Sequence, residues 1–309
     1  MGYNKIVSNL KYIFTFRYLF FWGRGPDYKK RFNCLILVLA GVLSLNFSLV
    51  ITWSAHGQFT SQEIAERNKW EIFLQTATII EQEQLLTRNA VTEPWKLTLE
   101  KDGITRNALW KDIQGKSRGF IEGWKYEIAA YRLDKFLGLN MVPPTIEKEF
   151  RGKTGSCQLW IESEMDVRMK FQKNVPVPSE KANSFERAGY IQQAFDNLIG
   201  NIDRHIGNVL ITKDWRAILI DHSRAFRTEE QYNKQLLFQD RSIDQNFIMK
   251  ELPRAFVDKI KVLDYDLVRQ IVGEYLTKEE IRALIKRKEL LIEYIDRRIQ
   301  KFGENAVLY

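Results

Sequence analysis

The sequence predicts an α+β fold in which a small antiparallel sheet precedes a helical region, both following one apolar segment long enough to cross a membrane. Three observations carry that expectation: a hairpin pattern around Asp102-Gly103, helical periodicity from Val167 onward, and an uncharged stretch ahead of both. The 309 residues are 45% hydrophobic and 28% charged with only 7 Pro and 17 Gly, which excludes disordered, collagen-like and low-complexity classes. The two cysteines, Cys34 and Cys157, are too few and too separated for a disulfide scaffold or a thiolate zinc site.

From Phe32 to Gln62 there is no Asp, Glu, Lys or Arg, and residues 34–55 are apolar apart from Asn46 and a few hydroxyls. About 20 such residues span a hydrocarbon core. The net charge is +8, and seven Lys and Arg against Asp27 in residues 1–33 carry +6 of it. That placement reads as a topology signal and not as a nucleic-acid surface. With acidic Glu63 and Glu66 beyond the segment, it predicts a single-pass signal anchor, a cytoplasmic N-terminus (residues 1–33) and an exported remainder. A cleaved signal peptide is the rival, since Ala55-His56-Gly57 has small residues at the cleavage spacing.

Residues 56–90 read as a juxtamembrane helix: Thr60 and Glu63 form a capping box, and Trp70, Phe73, Ala77 and Ile80 fall at helical spacing. Residues 91–165 read as a small lobe. It contains the hairpin of residues 95–113, a Gly-rich loop QGKSRGFIEG, a helix over 124–139 ending near Gly138, and strands in MVPPTIEKEF and SCQLWIE. Residues 166–309 read as a helical lobe. Asn183 and Glu186 are placed to cap a helix ending at Gly200, and Thr277 and Glu280 cap another running to about Phe302.

Between those two helices lies GNIDRHIGNVLITKDWRAILIDHSRAF, residues 200–226. Val209–Thr212 and Ala217–Asp221 read as short strands that pair antiparallel. The pairing brings Asn208 beside Asp221, an amide oxygen and a carboxylate suited to Mg²⁺ with phosphate oxygens and waters completing the shell. Asp203, five residues before Asn208, sits over the same place, where a carboxylate accepts a proton from an attacking hydroxyl.

Asp203-Arg204-His205 with Asn208 and then Asp221 resembles the D-R-H-x-x-N … D signature of atypical kinases: the phosphoinositide 3- and 4-kinases, the secreted Golgi protein and glycan kinases, and HipA-type bacterial kinases. The resemblance covers about residues 90–300 and is nearest to uncharacterised bacterial membrane-anchored members. It implies a bilobal protein-kinase-like fold and ATP-dependent transfer of the γ-phosphate to a hydroxyl, with Mg²⁺ (or Mn²⁺) held by Asn208 and Asp221 and Asp203 as base. Arg204 and His205 would orient the loop or stabilise developing charge. It further implies Lys111 as the strand lysine on the ATP phosphates, Glu127 as its helix partner, and Gln158, Leu159, Trp160 and Ile161 as a hinge whose backbone bonds adenine. A protein Ser or Thr is the leading acceptor, with a lipid or glycan hydroxyl also compatible.

Two departures stand out. No G-x-G-x-x-G lies between Trp95 and Lys111, and Asp221 is followed by His222-Ser223 where many kinases have Phe-Gly. Gly103, Gly115, Gly119 and Gly123 serve either as turn formers or as a phosphate cradle. A membrane-anchored pseudokinase that binds nucleotide or scaffolds a partner is the alternative function. An exported kinase domain also conflicts with the scarcity of ATP in a bacterial periplasm.

Overall fold

Residues 59–85, 94–117, 119–238 and 249–309 are described by a computed structural model. The predicted basic segment and anchor, residues 1–55, lie outside them. Among the described residues no helix is long and apolar enough to cross a membrane.

The capping box of Thr60 and Glu63 opens α1 (Ser61–Ala65), and α2 (Arg67–Thr76) follows at once. The helix expected to reach Ile80 stops at Thr76, and Thr78–Gln84 is a strand, β1. Thr78, Ile79 and Ile80 are β-branched in sequence, and tertiary pairing with the next strand supplies the hydrogen bonds that a longer helix would have made internally.

The predicted hairpin is β2 (Trp95–Lys101) and β3 (Ile104–Lys111), joined by Asp102 and Gly103 at φ 51° and 74°. Two consecutive positive φ values are what a two-residue turn between twisted strands requires. A second hairpin, β4 (Gln114–Ser117) and β5 (Phe120–Gly123), leads directly into α3 (Trp124–Leu137), which Gly138 ends at φ 75°. The strands β6 (Thr145–Phe150) and β7 (Lys153–Leu159) complete an antiparallel sheet of order β1-β2-β3-β7-β6.

Register decides which side chains share a face of this sheet. Ala108 pairs with Leu159 and Trp110 with Cys157, and these pack with Leu97, Leu99 and with Phe73 and Leu74 of α2 in one buried cluster. Leu109 pairs with Gln158 and Lys111 with Ser156, so these four point to the other face.

The remainder is mostly helical: β8 (Met165–Asp166), α4 (Val167–Gln172), α5 (Ala182–Ile199), β9 (Val209–Ile211), β10 (Ala217–Leu219), α6 (Arg254–Lys261), α7 (Tyr265–Val272), α8 (Lys278–Phe302) and α9 (Glu304–Val307). The Thr277–Glu280 capping box is formed at the start of α8. The start of α5 differs from expectation: Lys181 holds the cap position without a side-chain bond and Asn183 lies inside the helix. A short 3-10 turn ahead of Ala182 already continues the chain into the helix, so no side-chain cap marks the boundary. The larger hydrophobic core gathers α5 to α8 around α3, whose Ile128, Leu133 and Leu137 are buried in it. Helix α3 also touches β6 and β7, so it is the element shared by the sheet and the helices. Buried Arg67 of α2 meets Asp134 of α3 at 3.5 Å, and Glu71 bonds both Tyr131 and Lys135 there.

Candidate functional site

Lys111 ends β3 and Glu127 lies in the first turn of α3, separated in sequence by the second hairpin. The fold brings Lys111 Nζ to 2.8 Å from Glu127 Oε1 and 2.8 Å from Asp221 Oδ1. Lys111 and Glu127 are buried, which is tolerable only because each charge has a partner. Burial alone would push the Glu127 carboxyl up, but the Lys111 ammonium and His222 hold it well below the usual carboxylate range. Burial likewise works against a charged Lys111, and Asp221 with Glu127 keeps it above its ordinary value. Asp221 is held below the usual range by the same ammonium against the opposing effects of burial and of Glu127.

Asp221 sits two residues past β10 with φ 60°, a left-handed conformation that Asp tolerates better than most side chains. Ser223 Oγ donates to its Oδ1 at 3.2 Å. Strand pairing of Leu219 with Val209 and the bond from Ile220 N–H to the Asn208 carbonyl set Asn208 beside this turn, as the sequence predicts. Asn208 donates its Nδ2 to the Asp203 carbonyl at 3.3 Å and keeps its Oδ1 as an acceptor. An amide oxygen and a carboxylate fit a divalent cation of the Mg²⁺ type. Among the described residues no group of three His, Cys, Asp or Glu is arranged to hold a metal.

The three motif residues have different surroundings. Asp203 lies in the loop after Gly200 with its side chain 34% exposed. Arg204 is inside the protein: Nε and Nη2 bond the two oxygens of Asp196 at 2.9 and 3.2 Å, and Nη1 bonds the carbonyls of Asn208 and Ile220 at 2.8 and 2.6 Å. That arrangement ties the loop to both strands of the hairpin, so Arg204 positions the site and does not face it. His205 is exposed, and its Nδ1 meets Arg168 of α4 at 3.3 Å. Beside His205 and Ile206 opens a cavity of about 430 Å³, walled by Phe171, Phe185 and Val209.

His222, in the place where the resemblance expects Phe, is fully buried and polar contacts surround it. Arg204 Nη2 lies 2.8 Å from its Nε2, its backbone N–H donates to Glu127 Oε2 at 2.9 Å, and its Nδ1 stands 3.5 Å from that same oxygen. Arginine only donates, so Nε2 accepts and the proton belongs on Nδ1, facing Glu127. Burial pushes the imidazole pKa down, in keeping with that neutral tautomer. A continuous chain thus runs Lys111, Glu127, His222, Arg204, Asp196 from sheet to helix. Sequence reasoning passed over Asp196, although an acid between Phe195 and Leu198 on an apolar helix stripe was a signal of a buried partner.

Two further residues emerge only in three dimensions. Arg224 Nη1 lies 3.2 Å from Asp203 Oδ2, while its Nε and Nη2 engage Glu122 Oε1 at 2.7 and 2.5 Å. The β4–β5 hairpin is bound to the loop after Asp221 at two more points, Gly123 N–H to the Ser223 carbonyl and Arg227 to the Ile121 carbonyl.

The expected hinge residues divide. The amide of Gln158 is committed to Thr145 Oγ1 at 2.9 Å, and its backbone lies between β3 and β6. Leu159 N–H bonds the Pro144 carbonyl and Trp160 N–H the Asn107 carbonyl. Trp160 keeps about a third of its surface exposed under Lys96 Nζ, 5.4 Å from the ring, and Ile161 follows. Compared with known proteins, the chain matches no family model and no curated protein.

Proposed function

We propose that the chain is an atypical kinase of the bilobal protein-kinase-like fold, transferring the γ-phosphate of ATP to a hydroxyl. The observation that carries this reading is Lys111 Nζ, 2.8 Å from carboxylates on a helix and on the loop after the β9–β10 hairpin. A cation shared between those two elements stands where phosphate oxygens can replace Asp221 as its partner, leaving Glu127 to hold it. Asn208 and Asp221 would hold Mg²⁺ or Mn²⁺, which when bound neutralises phosphate oxygens. Asp203, partly exposed, accepts the proton of the attacking hydroxyl. Arg204 and His222 brace the loop behind it. The purine edge would meet the chain at Ile161 and the Trp160 carbonyl, since Gln158 and Leu159 spend their backbone on the sheet and the Trp160 N–H is spent on Asn107.

We take a protein Ser or Thr as the leading acceptor, entering on the His205 side. Residues 34–55 as a membrane anchor, with the kinase domain on the exported side, belong to the same proposal; the apolar run supports the anchor and the basic residues ahead of it the orientation.

The test is thermal stabilisation of the full chain by ATP with Mg²⁺ or Mn²⁺, beside Asp221→Asn. Asn is chosen because it tolerates the positive φ at this position. A ligand at 100 times its dissociation constant adds about 2.7 kcal/mol. A metal-dependent shift lost in the variant supports the site, and binding without phosphotransfer in an acceptor screen would assign the pseudokinase function. No shift in a folded protein overturns the reading.

A further inference from the structure

We propose that Arg224 is a catalytic residue, the cation that meets the transferring phosphoryl group. This rests on the phosphotransferase reading above. The arginine within the Asp203-Arg204-His205 motif is spent on Asp196, two backbone carbonyls and His222 Nε2, with its side chain 3% exposed, so it has no donor left for a substrate. Arg224 is arranged in the opposite sense. Glu122, itself buried, holds the Nε and Nη2 side of its guanidinium, and the Phe120 ring lies 4.9 Å from it. What remains is Nη1, which stands 3.2 Å from Asp203 Oδ2.

Asp203 is the residue whose carboxylate takes the acceptor proton, so the attacking oxygen must come within about 3 Å of it. A guanidinium nitrogen 3.2 Å from that carboxylate is then within about 6 Å of the reacting oxygen. In the step, the acceptor oxygen bonds to the γ-phosphorus and its proton passes to Asp203. The bond from the γ-phosphorus to the bridging oxygen breaks, and its electron pair leaves with ADP. Arg224 exchanges no proton: Nη1 keeps its place, and a non-bridging oxygen of the transferring group, where negative charge is spread, comes to it beside Asp203. Because Glu122 and Phe120 fix the guanidinium beforehand, the donor is aimed without reorganisation.

The experiment uses the full chain and two readouts. MgADP with aluminium fluoride, a mimic of the transferring phosphoryl, should stabilise the wild type beyond MgADP alone. In Arg224→Ala the increment disappears while the MgADP shift persists. In ATP turnover with water as acceptor, Arg224→Ala should lower kcat about 10²–10³-fold with KM changed less than about 3-fold. Guanidinium ion at non-denaturing concentration should restore at least about tenfold in Arg224→Ala and nothing in Asp203→Asn. Glu122→Gln, which loosens the aim but keeps the cation, should fall between wild type and Arg224→Ala. If Arg224→Ala does not fold, Arg224→Gln carries the same comparison. An unchanged increment, a loss confined to KM, or a loss without guanidinium rescue overturns the assignment and leaves Arg224 a structural partner of Glu122. A wild type that neither binds nor hydrolyses MgATP overturns the phosphotransferase reading itself, and this proposal with it.

Discussion

At the back of the site the Lys111, Glu127 and Arg204 side chains are each less than a tenth exposed, and each charge is met inside the protein. At the mouth Asp203 keeps a third of its side chain in solvent, and Arg168 and His205 are exposed. Both regions are built from acids, arginines and a histidine, so residue type does not separate them. Burial does: a charge without water must have a fixed partner, whereas one at the surface can change partners at little cost. The back is therefore assembled before any ligand arrives, Lys111 held by Glu127 even where its second partner, the part-exposed Asp221, is exchanged, and the mouth is the part free to respond to one.

Arg204→Ala attacks the back at its most connected residue. It leaves buried Asp196 without its cation and the Ile220 carbonyl without this donor, while the Asn208 carbonyl keeps the Ile220 N–H, and should cost about 3–5 kcal/mol in denaturant unfolding. A loss below about 1 kcal/mol would break the contrast.

The same substitution at two glycines sharpens it. A Cβ at Gly155 would stand 2.3 Å from the Lys111 carbonyl oxygen and 2.7 Å from the Trp110 ring, so Gly155→Ala must move strand β7 off β3. The expected cost is at the upper end of about 1–3 kcal/mol. At Gly207 the Cβ would meet the end of the Arg168 side chain, at 2.1 Å, and the His205 ring, at 3.2 Å; both side chains are exposed, and Arg168 can swing into solvent. Gly207→Ala should stay within about 0.5 kcal/mol of wild type, read by thermal unfolding.

The pH dependence of stability separates the regions next. Glu127 has a folded-state pKa below its unfolded value, so its contribution is present above the unfolded value and is lost as pH falls through the folded one. Below about pH 4.3 the wild type should lose up to about 1.4 kcal/mol per pH unit from this group, a slope missing in Glu127→Gln. Equal slopes in the two proteins would place the charge of Glu127 outside the folding balance. The smallest effect is expected at the mouth: Arg168→Ala removes an exposed contact to His205 and should change stability by less than about 0.5 kcal/mol.

Much of the scaffold was legible because it is written in local rules. Asp102-Gly103 can take two positive φ values in succession, Gly138 and Gly200 end helices in the left-handed region, and Thr277 with Glu280 satisfies the first amides of α8. None of these depends on what lies elsewhere in the chain. Strand β1 was not legible, because Thr78–Gln84 follows a helical pattern without a break and only the partner strand β2 decides its state. The start of α5 was missed for the same kind of reason, a preceding turn taking over the work of a cap.

The site divides along the same line. Asp203, Asn208 and Asp221 lie within one loop and hairpin, so the spacing of residues 203–221 was enough to bring them together. Lys111 and Glu127 are close to that hairpin only through the sheet and α3, and the sequence offered them by resemblance. Which arginine faces Asp203 could not be read at all: Arg204 is its neighbour in the chain, yet Arg224 reaches its carboxylate. Adjacent residues share a backbone but point apart, and a guanidinium goes where buried carboxylates and carbonyls are waiting for donors. The sequence by itself determined the hairpins, the helix ends and the loop that carries the acids; the tertiary structure decided which charges are dry and which are free, because burial is a property of the packed whole.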